Sequence, residues 1–258
     1  YERLKSNGDL ARVMNNRANA LNEMNRYDEA IEYLLKAIEY GELLDNKESK
    51  DALLNSVYNN IGKNYLSLED WPNAVKYTKM AVAIPSSYQI NNAHALLNLS
   101  NAYIGMDSSE LALGIAKEAE GIYEQVGFPY GVIAAKNNQG LALKNQGERE
   151  KAYLLFQECI DLSEKVDYPL GKLEGLINRS EILAFRKQYS QAIAEMKEAE
   201  RLCNLYNDRQ YLKSVRENLA ELFEETGNTA NALAYFKAFK ELDDSLKSSD
   251  NIKNVNDL

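Results

Sequence analysis

Small residues that recur about every 40 positions constrain this chain more than any other feature. A leading alanine opens each of six blocks, and successive leading alanines are 44, 38, 40, 40 and 40 residues apart. They are Ala30, Ala74, Ala112, Ala152, Ala192 and Ala232. Twelve residues before each alanine lies another small residue: Ala18, Gly62, Ser100, Gly140, Ser180 and Ala220. Self-similarity at such a period indicates an array of stacked structural units.

The paired small residues predict that each unit is a helical hairpin, with a first helix A and a second helix B. A small residue on each of two antiparallel helices lets their backbones approach closely. A large apolar residue, such as Tyr65 or Phe223, follows the A-helix small residue by three positions and fills the adjoining space. Between hairpins we expect a looser link that carries Pro85, Pro129 or Pro169.

This small–large–small pattern resembles the tetratricopeptide repeat (TPR) motif over roughly residues 9 to 245. The resemblance implies an all-α fold, an α-α superhelix (TPR solenoid) of six helical hairpins. Because the period exceeds the usual 34 residues, the chain is similar to the long-helix TPRs of kinesin light chain and of bacterial peptide-sensing regulators. The expected array covers 1–246, followed by a C-terminal helix extension or linker over 247–258. Its repeats are expected at about 11–44, 55–86, 93–127, 133–167, 173–207 and 213–246.

Two positions depart from the TPR pattern. The consensus aromatic, four residues before the A-helix small residue, is kept only as Tyr58. Lys136 and Arg216 replace it in blocks four and six, and we expect their stems to cover apolar surface with the charged heads in water. Phe239 stands where the other blocks carry alanine or cysteine, which predicts that block six ends the array.

Asparagine occupies one position of helix A in all six blocks, two residues before the small residue. We call this set the asparagine ladder: Asn16, Asn60, Asn98, Asn138, Asn178 and Asn218. A carboxamide offers one acceptor and two donors, which match the groups of an extended peptide backbone. In the families that the chain resembles, asparagines at the matching position line the concave surface and bind peptide backbone. The alternative is that the amides bridge neighbouring A helices.

The side chains that flank the ladder change from basic and amide-rich in the early blocks to acidic in the late ones. The early candidate contacts are Asn19, Lys63, His94 and Asn101. The late ones are Glu181, Glu217 and Glu221, with Glu174, Glu224 and Glu225 beside them. We therefore expect a ligand that presents Lys or Arg to blocks five and six, with an affinity that falls as salt is added. A solvated acidic face is the alternative.

Composition argues against several other functions. A net charge of -9 repels the phosphate backbone of nucleic acids. One histidine and two cysteines leave no room for a catalytic triad or a multi-histidine metal site, so we expect neither an enzyme nor a cofactor. No apolar run approaches the length of a membrane span. Since the chain starts at Tyr1, we interpret it as part of a longer protein, either free or membrane-anchored, in the cytoplasm or the periplasm.

The function that these patterns favour is a non-enzymatic scaffold that binds a protein or an extended peptide. The chain resembles the TPR sensor segment of bacterial signalling proteins, notably over residues 235–246 where the last block closes. Two alternatives stay open, a regulator that responds to a short signal peptide and a structural assembly adaptor.

Overall fold

The structure is a computed structural model that describes residues 6–84 and 89–256, with side chains up to residue 247. Helices occupy nearly all of these residues, and the described ranges contain no strand. The twelve helices of the described ranges are α1 (Asn7–Glu23), α2 (Tyr27–Glu42), α3 (Lys47–Ser67), α4 (Trp71–Ala83), α5 (Gln89–Gly105), α6 (Ser109–Gln125), α7 (Pro129–Asn145), α8 (Arg149–Lys165), α9 (Pro169–Phe185), α10 (Tyr189–Tyr206), α11 (Arg209–Glu225) and α12 (Thr229–Asn256). Odd-numbered helices are the A helices of the predicted hairpins, and even-numbered helices are the B helices.

Each A helix is joined to its B helix by a short turn that contains one left-handed residue. Between α1 and α2 this residue is Asn25, with φ of 60°. The N–H of Arg26 then donates to the carbonyl of Leu21 at 2.9 Å, which satisfies a carbonyl at the helix end. The corresponding left-handed residues of the other five turns are Glu69, Asp107, Gly147, Lys187 and Gly227.

The prediction of looser links between hairpins was wrong for the last three links. Gly127, Asp167 and Asn207 adopt the same left-handed conformation between α6 and α7, α8 and α9, and α10 and α11. Pro129 and Pro169 lie in the first turn of the helices that follow, where proline loses no helical hydrogen bond. Pro85 lies outside the described residues.

The helices fall into two compact units, Tyr1–Ala152 and Tyr153–Leu258. The core of the first unit contains Leu34, Val57 and Ile61, all fully buried. That of the second is built around Met196 and Leu219. None of the helices in the described ranges has the length and apolarity needed to span a bilayer.

Close contact between small residues holds the helices of a hairpin together, as the repeat predicts. A Cβ on Gly62 of α3 would lie 2.4 Å from Cγ2 of Thr78 and 3.5 Å from the carbonyl oxygen of Ala74, both on α4. Thr78 is fully buried, and its hydroxyl donates to the Ala74 carbonyl at 2.7 Å. The backbone of α3 therefore approaches α4 so closely that a side chain at position 62 would collide with the methyl group of Thr78.

Neighbouring hairpins are matched by one recurring pair of positions. The residue four before the A-helix small residue meets the residue eight after the leading alanine of the preceding B helix. In two of these pairs both residues are charged: Lys136 Nζ lies 2.8 Å from Glu120, and Arg216 Nε lies 3.5 Å from Glu200. In the other pairs both residues are apolar and share a core cluster; they are Ile38 with Tyr58, Val82 with Leu96, and Ile160 with Leu176.

The expectation that Lys136 and Arg216 hold their charged heads in water was therefore wrong. The side chains of Lys136 and Glu120 are only 18% and 16% exposed, and those of Arg216 and Glu200 are 25% and 19% exposed. A charge that is this far removed from water needs a partner of opposite sign. Glu120 and Glu200 supply it from the preceding B helix.

The contact between Gly62 and Thr78 gives a stability prediction. We expect Gly62→Ala to lower the free energy of unfolding by about 1–2 kcal/mol, because overpacking outweighs the helix propensity gained. In a Thr78→Ser background, which removes Cγ2 and keeps the hydroxyl, the same substitution should be neutral or stabilising. Urea unfolding of the four proteins of this cycle measures both effects. Equal destabilisation in both backgrounds would contradict the contact.

Candidate functional site

In the first unit, three ladder residues bridge neighbouring A helices through their amide nitrogens. Asn60 Nδ2 donates to Oδ1 of Asn15 at 2.9 Å and to Oδ1 of Asn19 at 3.1 Å, from α3 to α1. Asn98 Nδ2 on α5 repeats the contact with Oδ1 of Asn59 on α3 at 2.9 Å. On α7, Nδ2 of the buried ladder residue Asn138 donates to the Leu97 carbonyl at 3.2 Å. Each donor thus ties its helix to the preceding A helix.

The carbonyl oxygens of the same three residues form no hydrogen bond with the described part of the chain. Oδ1 of Asn60, Asn98 and Asn138 accepts from no described donor, and none of these atoms is both buried and unsatisfied. An amide oxygen that is accessible and unpartnered can accept a hydrogen bond from a ligand. The Oδ1 atoms of the ladder in this unit can therefore accept hydrogen bonds from N–H groups of a ligand, while the Nδ2 atoms bridge the A helices.

The amide network extends beyond the predicted residues. Asn22 Nδ2 donates to Asn64 Oδ1 at 3.1 Å, and Asn64 Nδ2 donates to the Asn60 carbonyl at 2.7 Å. Asn64 is buried, so its amide is fixed between α1 and α3. The sequence signal for this extension was the second asparagine one turn after the ladder position in α3. Asn16, the first ladder residue, is exposed and makes no hydrogen bond with described residues.

In the second unit, a pocket of about 360 Å³ brings together three predicted site residues, Glu181, Asn218 and Glu221. The buried side chains of Met196 and Leu222 form its apolar floor. The other lining residues are Ser180, Ala184, Tyr189, Glu224 and Glu225. Met196 and Tyr189 belong to α10, which is a B helix, so the sequence pattern of the A helices does not predict them. The other predicted residue of this unit's ladder, Asn178, is half-buried on α9.

The pocket carries a dense negative charge. Glu221, Glu224 and Glu225 are exposed, and no ion pair involves them among the described residues. Oε2 of Glu225 accepts a hydrogen bond from the Tyr189 hydroxyl at 3.2 Å. Partial burial raises the pKa of Tyr189, and this hydrogen bond raises it further. Carboxylates around an apolar floor suit an ammonium or guanidinium group on an aliphatic stem.

Several flanking residues lie apart from these two features. His94 packs its ring against Tyr123 and Phe128, with centroids 5.6 and 5.9 Å away. Lys63 and Glu217 are exposed, and Asn101 is half-buried without a hydrogen bond to described residues. Glu217 does not line the pocket.

Glu174 does not share the acidic face on which the sequence placed it. Its Oε1 accepts a hydrogen bond from the Tyr211 hydroxyl at 2.6 Å, between α9 and α11. Burial raises the pKa of Glu174, and the bond from Tyr211 opposes that rise. Glu174 therefore connects two A helices.

Metal binding has no support in the described residues, where no group of three or more His, Cys, Asp and Glu side chains could hold an ion. Cys159 is fully buried at an alanine position, as its spacing predicts for a small core residue. Burial raises the pKa of the Cys203 thiol to about 11, so this side chain stays protonated at neutral pH.

The paired helices, the left-handed turns and the small-residue contacts define an α-helical repeat protein. Residues 9–87 match one tetratricopeptide repeat family model, and residues 133–166 match another. These two parts of the chain are therefore tetratricopeptide repeats.

Comparison with individual proteins gives the same class. Mitochondrial tetratricopeptide repeat protein 19 of Rattus norvegicus is 31% identical over 113 residues, which are 44% of this chain and 29% of that protein. The chain thus spans less than a third of that relative's length.

Two of the similar solved structures are Rap proteins. One is a Rap protein complexed with Competence and Sporulation Factor, with a TM-score of 0.71, 14% identity, and coverage of 93% of this chain and 77% of that one. The other is a Rap conjugation gene regulator of a plasmid in complex with the Phr* peptide, with a TM-score of 0.67, 15% identity, and coverage of 90% and 73%. At these identities the likeness shows the fold.

The packing of His94 gives a prediction about its protonation. Burial lowers the pKa of His94, so we expect its midpoint below 6.5. A base with a lowered folded-state pKa stabilises the fold less as the pH falls below its unfolded value of about 6.5. Because the chain has one histidine, its imidazole C–H signal in an NMR titration reports this value directly. Phe128→Ala, which admits water, should move the midpoint back toward 6.5; a midpoint at or above 6.5 in the unchanged chain would contradict the burial.

Proposed function

We propose that this chain is a non-enzymatic TPR scaffold that binds an extended peptide along the asparagine ladder. It serves as the sensory or regulatory segment of a larger bacterial signalling protein. The observation that carries the proposal is the row of Oδ1 atoms without a described partner on Asn60, Asn98 and Asn138, each on a side chain whose nitrogen is already fixed. A preorganised acceptor loses little conformational entropy on binding.

The spacing of these acceptors suits an extended chain. Adjacent packed helices lie roughly 8–10 Å apart, and an extended chain rises about 3.3 Å per residue. One ladder oxygen therefore corresponds to about every third residue of a bound peptide. Since a ladder of amides contacts only the main chain, it binds peptides without selecting side chains.

We assign the selectivity for particular ligand side chains to the pocket of the second unit. Glu221, Glu224 and Glu225 attract a cationic side chain, and Met196 packs against its methylene groups. Asn218 also lines this pocket, and its amide makes no hydrogen bond with described residues. The proposed ligand therefore carries a Lys or Arg that enters the pocket.

The similar Rap structures support a regulatory role. One of them is a conjugation gene regulator in complex with a peptide, and the likeness in fold covers 90% of this chain. A helical repeat array offers a long surface for such a ligand and no catalytic group is needed.

A comparison of two alanine variants tests the role of the ladder. The probe is the tightest binder from an array of peptides of about ten residues, the length that spans three rungs. Asn98→Ala removes both the bridge to Asn59 and the free oxygen, whereas Asn59→Ala removes the bridge and leaves Asn98 in place. Both should lower the free energy of unfolding by about 1 kcal/mol. Asn98→Ala should weaken peptide binding about tenfold in calorimetry, and Asn59→Ala, which loses only the preorganisation of Asn98, should weaken it clearly less.

Equal losses of affinity in the two variants would show that the bridge, rather than the oxygen, matters for binding. No loss in either variant would reject the ladder as a peptide site.

Neutralising the pocket tests its preference for a cation. We expect the triple variant Glu221→Gln, Glu224→Gln and Glu225→Gln to weaken binding of a Lys- or Arg-containing peptide at least tenfold at low salt, with much less effect at about 1 M salt. The matched control has the same change in net charge at three exposed glutamates elsewhere: Glu23, Glu39 and Glu118. Fluorescence anisotropy at several salt concentrations measures both. Similar losses in the control would assign the effect to the general charge of the protein.

A further inference from the structure

The last helix exposes an apolar surface at its outer side. Leu233 and Phe236 of α12 are 52% and 49% exposed, and Lys240 follows one turn later. We call these three residues the α12 end face. Lys240 Nζ lies 5.6 Å from the ring centroid of Phe236 and 5.2 Å from that of Phe239. The end face is separate from the pocket, which α9, α10 and α11 form.

In the five earlier B helices, the residue equivalent to Phe236 is covered. This residue lies four positions after the leading alanine, and it is buried to within 1% of complete burial in each case. The five residues are Leu34, Thr78, Ala116, Phe156 and Met196. Thr78 is met by Gly62 on the A helix of its own hairpin, and Phe156 is also approached by the next A helix, α9, where a Cβ on Gly175 would lie 3.2 Å from the Phe156 carbonyl oxygen. The α12 end face is therefore the corresponding surface without a following A helix among the described residues.

The position of Lys240 indicates which helix would cover this face. Lys240 lies eight residues after the leading alanine, where Glu120 and Glu200 meet Lys136 and Arg216. In these two interfaces a charge on the B helix is matched by the opposite charge on the A helix. Lys240 has no ion pair among the residues whose side chains are described, so a carboxylate on a covering helix would complement its charge.

We propose that the α12 end face binds an amphipathic helix of a partner protein, and that this helix carries an aspartate or glutamate opposite Lys240. A second copy of this chain fits less well. The exposed first A helix, α1, presents Met14 at the pairing position, which would leave Lys240 without a partner. The described chain does not cover the face itself, because α12 continues as one helix to Asn256.

The chain itself supplies a matched pair of probes. The α11 segment, residues 209–225, is an A helix whose Arg216 meets Glu200 on α10. Two hydrocarbon-stapled peptides of this sequence, one native and one with Arg216→Glu, differ only in the charge that would face Lys240. We expect the glutamate peptide to bind the full chain about tenfold more tightly than the arginine peptide in fluorescence anisotropy.

Two variants of the chain locate the contact. Lys240→Glu should reverse the preference between the peptides, and Phe236→Asp, at an exposed position, should abolish binding of both without lowering the melting temperature. Equal affinities of the two peptides, or binding that survives Phe236→Asp, would overturn the proposal. Sedimentation of the chain without peptide should show a monomer. A dimer that Phe236→Asp dissociates would instead assign the face to a second copy.

Discussion

The close approach of helices at small residues is the constraint on which the other features depend. At Gly62 the backbone of α3 approaches Thr78 and Ala74 so closely that a Cβ would collide with Cγ2 of Thr78. This contact sets the rotation of α3 as well as its distance from α4, because only the face that carries the small residue can approach. Once that face is fixed inward, Asn60, two residues earlier, points away from α4 and reaches Asn15 and Asn19 on α1. Packing within one hairpin thus determines where the amides of the ladder lie.

The two interpretations of the ladder that the sequence left open describe different atoms of the same side chain. The nitrogens of Asn60, Asn98 and Asn138 bridge A helices, and their oxygens accept no hydrogen bond from described residues. A bridging role explains why asparagine, a weak helix former, recurs inside α3, α5 and α7. The proposed binding role then requires little further loss of side-chain entropy, because a bridged amide is already oriented. Asn218 differs, since its amide makes no hydrogen bond with described residues and lines the acidic pocket with Glu221.

The spacing of small residues predicted the number, order and turns of the hairpins, because it reports contacts within one hairpin. Contacts between hairpins were harder to predict, and Lys136 and Arg216 show why. Within its own helix, each is a basic residue at an otherwise apolar position, and such a residue is expected to hold its charged head in water. Their partners, Glu120 and Glu200, lie on the preceding B helix, and the match appears only when the two positions are compared across blocks. Met196 in the pocket floor was missed for the same reason, since it belongs to a B helix. The left-handed residue Lys187 was not predicted, because lysine rarely adopts this conformation.

A crystal structure of the chain with the tightest peptide from the array tests the central claim most directly. The account predicts main-chain N–H groups of the peptide at about 3 Å from Oδ1 of Asn98 and Asn138, with the bridges to Asn59 and the Leu97 carbonyl unchanged. A peptide bound elsewhere, with both oxygens still facing solvent, would contradict it. So would a peptide that binds only after these bridges break, because the ladder would then not be the preorganised site described above.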